Sequence, residues 1–163
     1  MTQQHDSNRH GYGWKHPVLG GVGVIIAVGI IAFIDDMYAR IWLIGSFGSS
    51  AAMIFGFPDS AFVQPRNVMV GHISAAAVGW LCTYAFGPTW WSVAMGCGLA
   101  LTVMMLLRSA HPPATGTPIV IHFLNPGPEF ILVPVAIGAL ILVATAYIYN
   151  NAVHKRPYPK HWW

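Results

Sequence analysis

Four stretches of this sequence contain no Asp, Glu, Lys or Arg: Pro17 to Ile34, Val68 to Phe86, Trp90 to Leu107 and Phe130 to Tyr149. Each approaches the roughly 20 apolar residues that a helix needs to cross a bilayer. Charged residues make up only 8% of the chain, against about 25% in soluble domains. A water-soluble helical protein of this composition would have almost no polar surface to present. The expectation is an all-α integral membrane protein with four long transmembrane helices. Residues 1–16 form a polar tail, and the apolar run that follows is too long for a secretory signal core, so the first helix should stay uncleaved. A single transmembrane domain over 17–150 and a basic, aromatic tail over 151–163 complete the expected organisation.

Two further apolar segments, Ile41 to Phe57 and His111 to Leu124, are too short or too broken to be ordinary spans. The first has Gly45-Ser46-Phe47-Gly48-Ser49-Ser50-Ala51-Ala52 at its centre. The second opens on Arg108-Ser109-Ala110-His111-Pro112-Pro113-Ala114-Thr115-Gly116-Thr117-Pro118. Proline removes a backbone donor and breaks helical bonding. Irregular backbone survives in hydrocarbon only where it is buried in protein or lines a polar cavity. Each segment is closed by a proline turn, Phe57-Pro58-Asp59 and Asn125-Pro126-Gly127-Pro128. Long, broken, long thus recurs on either side of Gly87-Pro88-Thr89, giving two related halves at about 17–87 and 88–150. Paired interrupted segments at corresponding positions point to the binding site of a transporter.

The Lys and Arg residues near helix ends set the orientation. If the broken segments do not cross, Arg9, Lys15, Lys155, Arg156 and Lys160 share one side, and Arg40, Arg66 and Arg108 the other. If both cross, Arg66 and Arg108 join the termini and Arg40 stands alone. The stronger bias favours six crossings and an inverted repeat. Either arrangement puts both termini in the cytoplasm, with a bacterial inner membrane as the expected location. Small residues at Gly71, Ala75 and Gly79, and at Ala94 and Gly98, let helices approach closely, within one chain or in a homo-oligomer. A homo-oligomer is the expectation, because six short segments make a slender bundle.

The chemistry expected at the breaks is anion binding. A half-helix that begins inside the membrane presents unpaired N–H groups and a positive dipole end, and Pro112 or Pro113 suits a first helical position. Ser49 and Ser50 can cap or contact a ligand in the other half. Arg66 and Arg108 carry planar forks that match a bent, planar oxyanion, although both are also placed to be interfacial anchors. His72 and His111 offer imidazoles, as hydrogen-bonding groups or in a proton relay. Haem or metal would need two imidazoles facing each other at one depth, and only His72 lies within a long run. Cys82 and Cys97 fall on different helices without metal spacing. Asp35, Asp36 and Arg40 read as a surface ion pair. No cofactor is expected, the modest net charge of +3 gives no reason to expect nucleic acid, and no catalytic set of an enzyme is present.

These motifs carry a family resemblance. Ser46 to Ala51, the stretch Gln64-Pro65-Arg66-Asn67-Val68-Met69-Val70-Gly71-His72, and His111-Pro112-Pro113-Ala114 are similar, in order, to three motifs of the HPP family of small integral membrane proteins. The resemblance implies transport, with nitrite the substrate ascribed to cyanobacterial and plastid members. It marks Arg66, Asn67, His72, His111, Pro112, Pro113, Ala114 and Thr115 as candidate site residues beside Arg108, Ser49 and Ser50. Family descriptions usually give four spans. The sequence departs from the family in Thr115-Gly116-Thr117-Pro118, where a run of uniformly small residues is expected, and no CBS-type regulatory domain is expected to follow. The competing functions are a structural or regulatory membrane subunit and a haem- or metal-binding redox subunit.

Overall fold

The structure is a computed structural model that describes residues 13–38 and 41–162. Arg40, and with it the expected ion pair to Asp35 and Asp36, lies outside the described residues. Six α-helices account for most of the chain: α1 (Lys15–Tyr38), α2 (Gly45–Gly56), α3 (Pro65–Phe86), α4 (Trp90–Leu106), α5 (Thr117–Leu124) and α6 (Ile137–Ala152). No strand occurs among the described residues. Helices Lys15–Tyr38, Pro65–Phe86 and Pro128–Ala152 are long and apolar enough to cross a membrane. The fourth expected span, α4, has 17 residues and reaches about 25 Å at 1.5 Å per residue. Pro128–Ala152 is itself interrupted: Val133, ahead of Pro134, leaves helical geometry at φ −130° and ψ 113°, as the residue before proline is pushed to do.

The helix ends carry their own stop signals. Pro65 opens α3, where its missing N–H costs nothing, and Gly87 closes it with φ +71°. Thr89 and Ser92 form a reciprocal capping box at the start of α4. At the other end of α4, Arg108 N–H donates to Met105 O and Ser109 N–H to Met104 O, with Arg108 in the left-handed region at φ +51°. Glycine usually takes that position. Arg66 secures the turn by donating to Leu107 O at 2.8 Å and Arg108 O at 3.2 Å. Asn125, also left-handed, ends α5.

The break in the first short segment does not fall at its glycine–serine centre. That stretch is helical, and the irregular part is the extended lead-in at 41–44. The Asp35 carboxylate accepts the N–H groups of Trp42 and Leu43 there. In the second segment a 3-10 turn, Pro112–Gly116, leads into α5, so the proline run does make the break.

One end of the bundle gathers the start of α1, the α2–α3 connection, the end of α4 and the C-terminal segment. His16 contacts Gly56 O, Arg156 and Lys160 pair with Asp59, and Tyr158 donates to Val63 O. The opposite end gathers Ile41, Trp42, Leu124, Pro126, Glu129 and Phe130 around one cavity, and Thr83, Tyr84 and Asn125 around another. All six segments therefore run from one end to the other, with the short helices supplying part of their path. Within the bundle α1, α2 and α6 pack on one another, while α3 packs with α4 and α5.

Close approach is reserved for glycines. A Cβ on Gly79 would lie 2.7 Å from Pro118 Cα, and one on Gly96 would lie 3.2 Å from Pro118 Cβ, so Pro118 sits in a slot between α3 and α4. Gly23 faces the Phe55 ring and Gly138 the Phe47 ring. On α4 the inward row is Ser92, Gly96 and Ala100, whereas Ala94 and Gly98 are exposed.

Candidate functional site

About two turns into α3, buried polar side chains from both broken segments converge. Ser50 Oγ lies 2.8 Å from His72 Nε2 and 2.8 Å from His111 Nε2, and also 2.8 Å from Ser46 O. Ser46 Oγ meets Thr117 Oγ1 at 3.2 Å, and Thr117 Oγ1 is 3.4 Å from His72 Nδ1. His111 Nδ1 lies 2.8 Å from Phe62 O. Ser50, His72, His111 and Thr117 are each 0% exposed. Buried hydroxyls and imidazoles are costly without partners, and here every one has at least one.

Local structure explains the convergence. Ser46 and Ser50 are four residues apart on α2, hence on one face. Helical geometry also lets Ser50 bond its own preceding turn, a pattern open to serine in apolar surroundings. His72 follows Gly71, whose missing side chain leaves room for His111: a Cβ there would lie 2.8 Å from His111 Cβ. Thr117 opens α5, so Ser46 and Thr117 bring the first turns of the two short helices together. The Phe47 and His72 rings pack in a T-shaped contact, with centroids 5.1 Å apart.

The expected site residues divide. Ser50, His72 and His111 come together, with Ala114 buried among Ala75, Ala100 and Met104. Ser49, one residue round the helix, is exposed. Thr115 Oγ1 donates to Pro112 O within its own turn, Pro112 is exposed and Pro113 half-buried. Asn67 donates to Ala61 O, and Arg66 secures the end of α4. Arg108 is exposed, in surroundings unlike the fully buried His111. Ser46 and Thr117 were not marked in the sequence. The four-residue spacing from Ser46 to Ser50 was the available signal for one, and the position of Thr117 at the start of α5 for the other.

Two imidazoles do face each other, contrary to the expectation that only His72 had the depth for it: the His72 and His111 rings are 5.2 Å apart. Their facing nitrogens are bridged by the Ser50 hydroxyl. Among the described residues no group of three or more His, Cys, Asp or Glu is placed to hold a metal ion.

At the end that holds the start of α1 and the C-terminal segment, charges lace the chain together. Arg156 pairs with Asp59 at 2.7 Å and Lys160 with Asp59 at 3.0 Å. The hydrogen bond from Lys160, opposed by partial burial and aided by the nearby cationic groups, holds the Asp59 carboxyl below its usual range. His16 and His154 stack at 4.8 Å, and burial, then His16, then Arg156 push the His154 imidazole below its ordinary value.

A family model described as "HPP, transmembrane region" matches residues 10–159. The chain belongs to the HPP family. Two transmembrane proteins of Dictyostelium discoideum are similar to it, at 35% and 34% identity. Each match covers 97% of this chain, and 57% and 52% of those proteins respectively. The chain thus spans about half the length of the curated relatives it matches. No solved structure matches it. Its apolar helices and its HPP membership make it a membrane protein.

Proposed function

We propose that the chain is a membrane transporter for a small inorganic anion, with nitrite as the first candidate substrate. The observation that carries this reading is the meeting of Ser46 and Thr117 at 3.2 Å. Through it the first turn of α2, the positive end of its dipole, meets the start of α5, which continues the turn Pro112–Gly116, inside the bundle. Broken helices that aim their N-termini at one interior point are a recurrent way to hold an anionic group. Ser46, Ser50 and Thr117 supply hydroxyl donors, and His72 and His111 supply imidazoles. Arg66 and Arg108, at the end of the bundle that holds the start of α1, draw anions toward that mouth.

An inverted repeat with six crossings fits this reading. The helices pack as α1, α2 and α6 against α3, α4 and α5, so each half of the sequence contributes two helices to one group and one to the other. A two-fold exchange of α1 with α4, α2 with α5 and α3 with α6 maps one group onto the other. In a bacterial inner membrane, the location expected above, both termini would be cytoplasmic. The exposed Ala94 and Gly98 on α4 are available to a second copy, and a homo-oligomer remains part of the proposal.

Flux into proteoliposomes containing this chain alone, compared across nitrite, nitrate, chloride and formate, tests the function. Uptake of nitrite well above protein-free vesicles, and above chloride, is the expected result. Equal, background-level flux for all four anions would refute it.

A further inference from the structure

We propose that the His72–Ser50–His111 bridge is a proton-binding site that couples anion movement to one proton. This inference rests on the transport reading above. The first argument is hydrogen-bond accounting. Phe62 O can only accept, so His111 Nδ1 must carry the hydrogen of that 2.8 Å contact. In neutral His111 the other nitrogen, Nε2, is then a lone pair, and the Ser50 hydroxyl must donate to it. The Ser50 oxygen in turn accepts from His72 Nε2–H, which leaves His72 Nδ1 to accept from the Thr117 hydroxyl. Thr117 Oγ1 accepts from Ser46 Oγ–H. One hydrogen fills each link.

The same atoms accommodate one more proton without leaving any group unpaired. When His111 gains a hydrogen at Nε2, that N–H donates to the Ser50 oxygen. The Ser50 hydroxyl turns to Ser46 O, already 2.8 Å away. That bond to the preceding turn is open to any helical serine in apolar surroundings. In a site that must be satisfied in both protonation states it is required.

The second argument is electrostatic. Every element that faces the two imidazoles does so with neutral groups. Phe47 and Ser50 from α2, Phe62 O from the connection and Thr117 from α5 touch the rings, and Ser46, Gly71, Met104 and Ser109 lie around them. Among the described residues each imidazole has only the other as an ionisable neighbour in this cluster. An added proton there is a buried charge without a counter-ion, which is costly. An anion at the meeting helix starts provides that counter-ion, and by reciprocity the proton raises affinity for the anion as much as the anion raises affinity for the proton. The empty site and the site holding one anion and one proton are both neutral, so a transport cycle built on them moves no net charge.

The test uses proteoliposomes of the whole chain, with membrane potential clamped by potassium and valinomycin and protein-free vesicles as baseline. With an inward acid gradient of about one pH unit, nitrite should accumulate about tenfold above its symmetric-pH level, since one pH unit is a factor of ten in proton activity. Changing the clamped potential should leave uptake unaltered. His111→Gln, which keeps hydrogen-bonding capacity but cannot take up a proton, should bring the ratio of uptake with and without the gradient close to one. A second measurement needs no flux: calorimetry of nitrite binding in buffers of different ionisation enthalpy should report one proton taken up per anion by the natural protein. Ser50→Ala, which removes the turning hydroxyl, should reduce that number toward zero. Nitrite flux that ignores the pH gradient and follows the potential would overturn the proton site while leaving anion transport intact. Absence of both flux and binding for every anion would overturn the two readings together.

Discussion

The two broken segments reach the same interior point by different chemistry. Helix α2 begins without proline, retains its early N–H groups and is seated mainly by rings, Phe47 against Gly138 and Phe55 against Gly23, with its backbone touching α1 only at Gly20. Helix α5 follows Pro112 and Pro113, carries Pro118 in its first turn, and is seated by its own backbone in the slot between Gly79 and Gly96. Prolines remove donors but fix direction. The difference is a division of labour. The α2 segment supplies donors on a mount of side chains that can turn, and the α5 segment supplies an imidazole and a hydroxyl on a mount that cannot.

If both segments serve one route, obstructing either should stop transport. Ser50→Trp and Ala114→Trp, both at fully buried positions, should each reduce nitrite flux to the protein-free baseline while a band of inserted protein remains. Normal flux in Ser50→Trp with none in Ala114→Trp would leave α5 as the only functional break. The difference in mounting should appear in stability. Gly79→Ala sets a new methyl against backbone that cannot yield, and a loss at or above the roughly 1–3 kcal/mol typical of overpacking is expected. Gly138→Ala meets the Phe47 ring, which can rotate, and should cost the lower end of that range. Denaturant titrations in detergent measure both, and equal losses would erase the distinction.

A smaller effect is expected at the turn before the proline run. Arg108 occupies a left-handed position that costs a non-glycine residue roughly 1–2 kcal/mol. Part of that gain is returned because glycine is freer in the unfolded chain. Arg108→Gly should therefore stabilise the protein by about 0.5–1 kcal/mol and, if the cation draws anions to the mouth, slow nitrite uptake at low ionic strength. Greater stability with unchanged uptake would restrict Arg108 to a role in the turn.

The smallest effect belongs to the lacing of the C-terminal segment. The Asp59 carboxyl is held below its unfolded value, so its contribution is present above that value and is lost as pH falls through the folded one. His154 is likewise held low, so its contribution is full above the usual imidazole range and declines as pH falls below it. Because Asp59 is half exposed, its pairs should contribute no more than about 1 kcal/mol. Asp59→Asn should flatten the acid limb of a stability–pH curve by that amount, and salt should weaken the same limb in the natural protein. This acts on α2 through its end at Gly56 and hardly on α5, so tail loosening should alter labelling of a cysteine at position 57 more than one at position 123.

The sequence made the membrane class, three long apolar helices and the proline break legible, because hydropathy and proline act locally. It set the first break at the glycine–serine centre instead of 41–44 and did not mark the interruption at Val133. Partners across the bundle were not legible. Ser46 and Thr117 meet only because α2 and α5 start at the same depth, which depends on how far the extended lead-in at 41–44 carries the chain. Ser49 looked equivalent to Ser50 until helical phase separated them. Gly96 gave no sign of being the inward glycine of α4 beside Gly98, since only the position of Pro118 distinguishes them. His111 lies outside every long run, yet the missing side chain of Gly71 lets it reach the depth of His72.

The seam between the two helix groups has a further consequence for permeability. The links of Ser46 with Thr117, and of Ser50 with His72 and His111, all cross from one group to the other. Opening the seam by about 1 Å would stretch these contacts beyond hydrogen-bonding range and leave several polar groups bare in an apolar interior. Only a guest that takes over those bonds makes parting the groups inexpensive. A vacant protein should therefore be watertight: osmotic shrinkage of vesicles carrying it, in the absence of permeant anions, should match that of plain lipid.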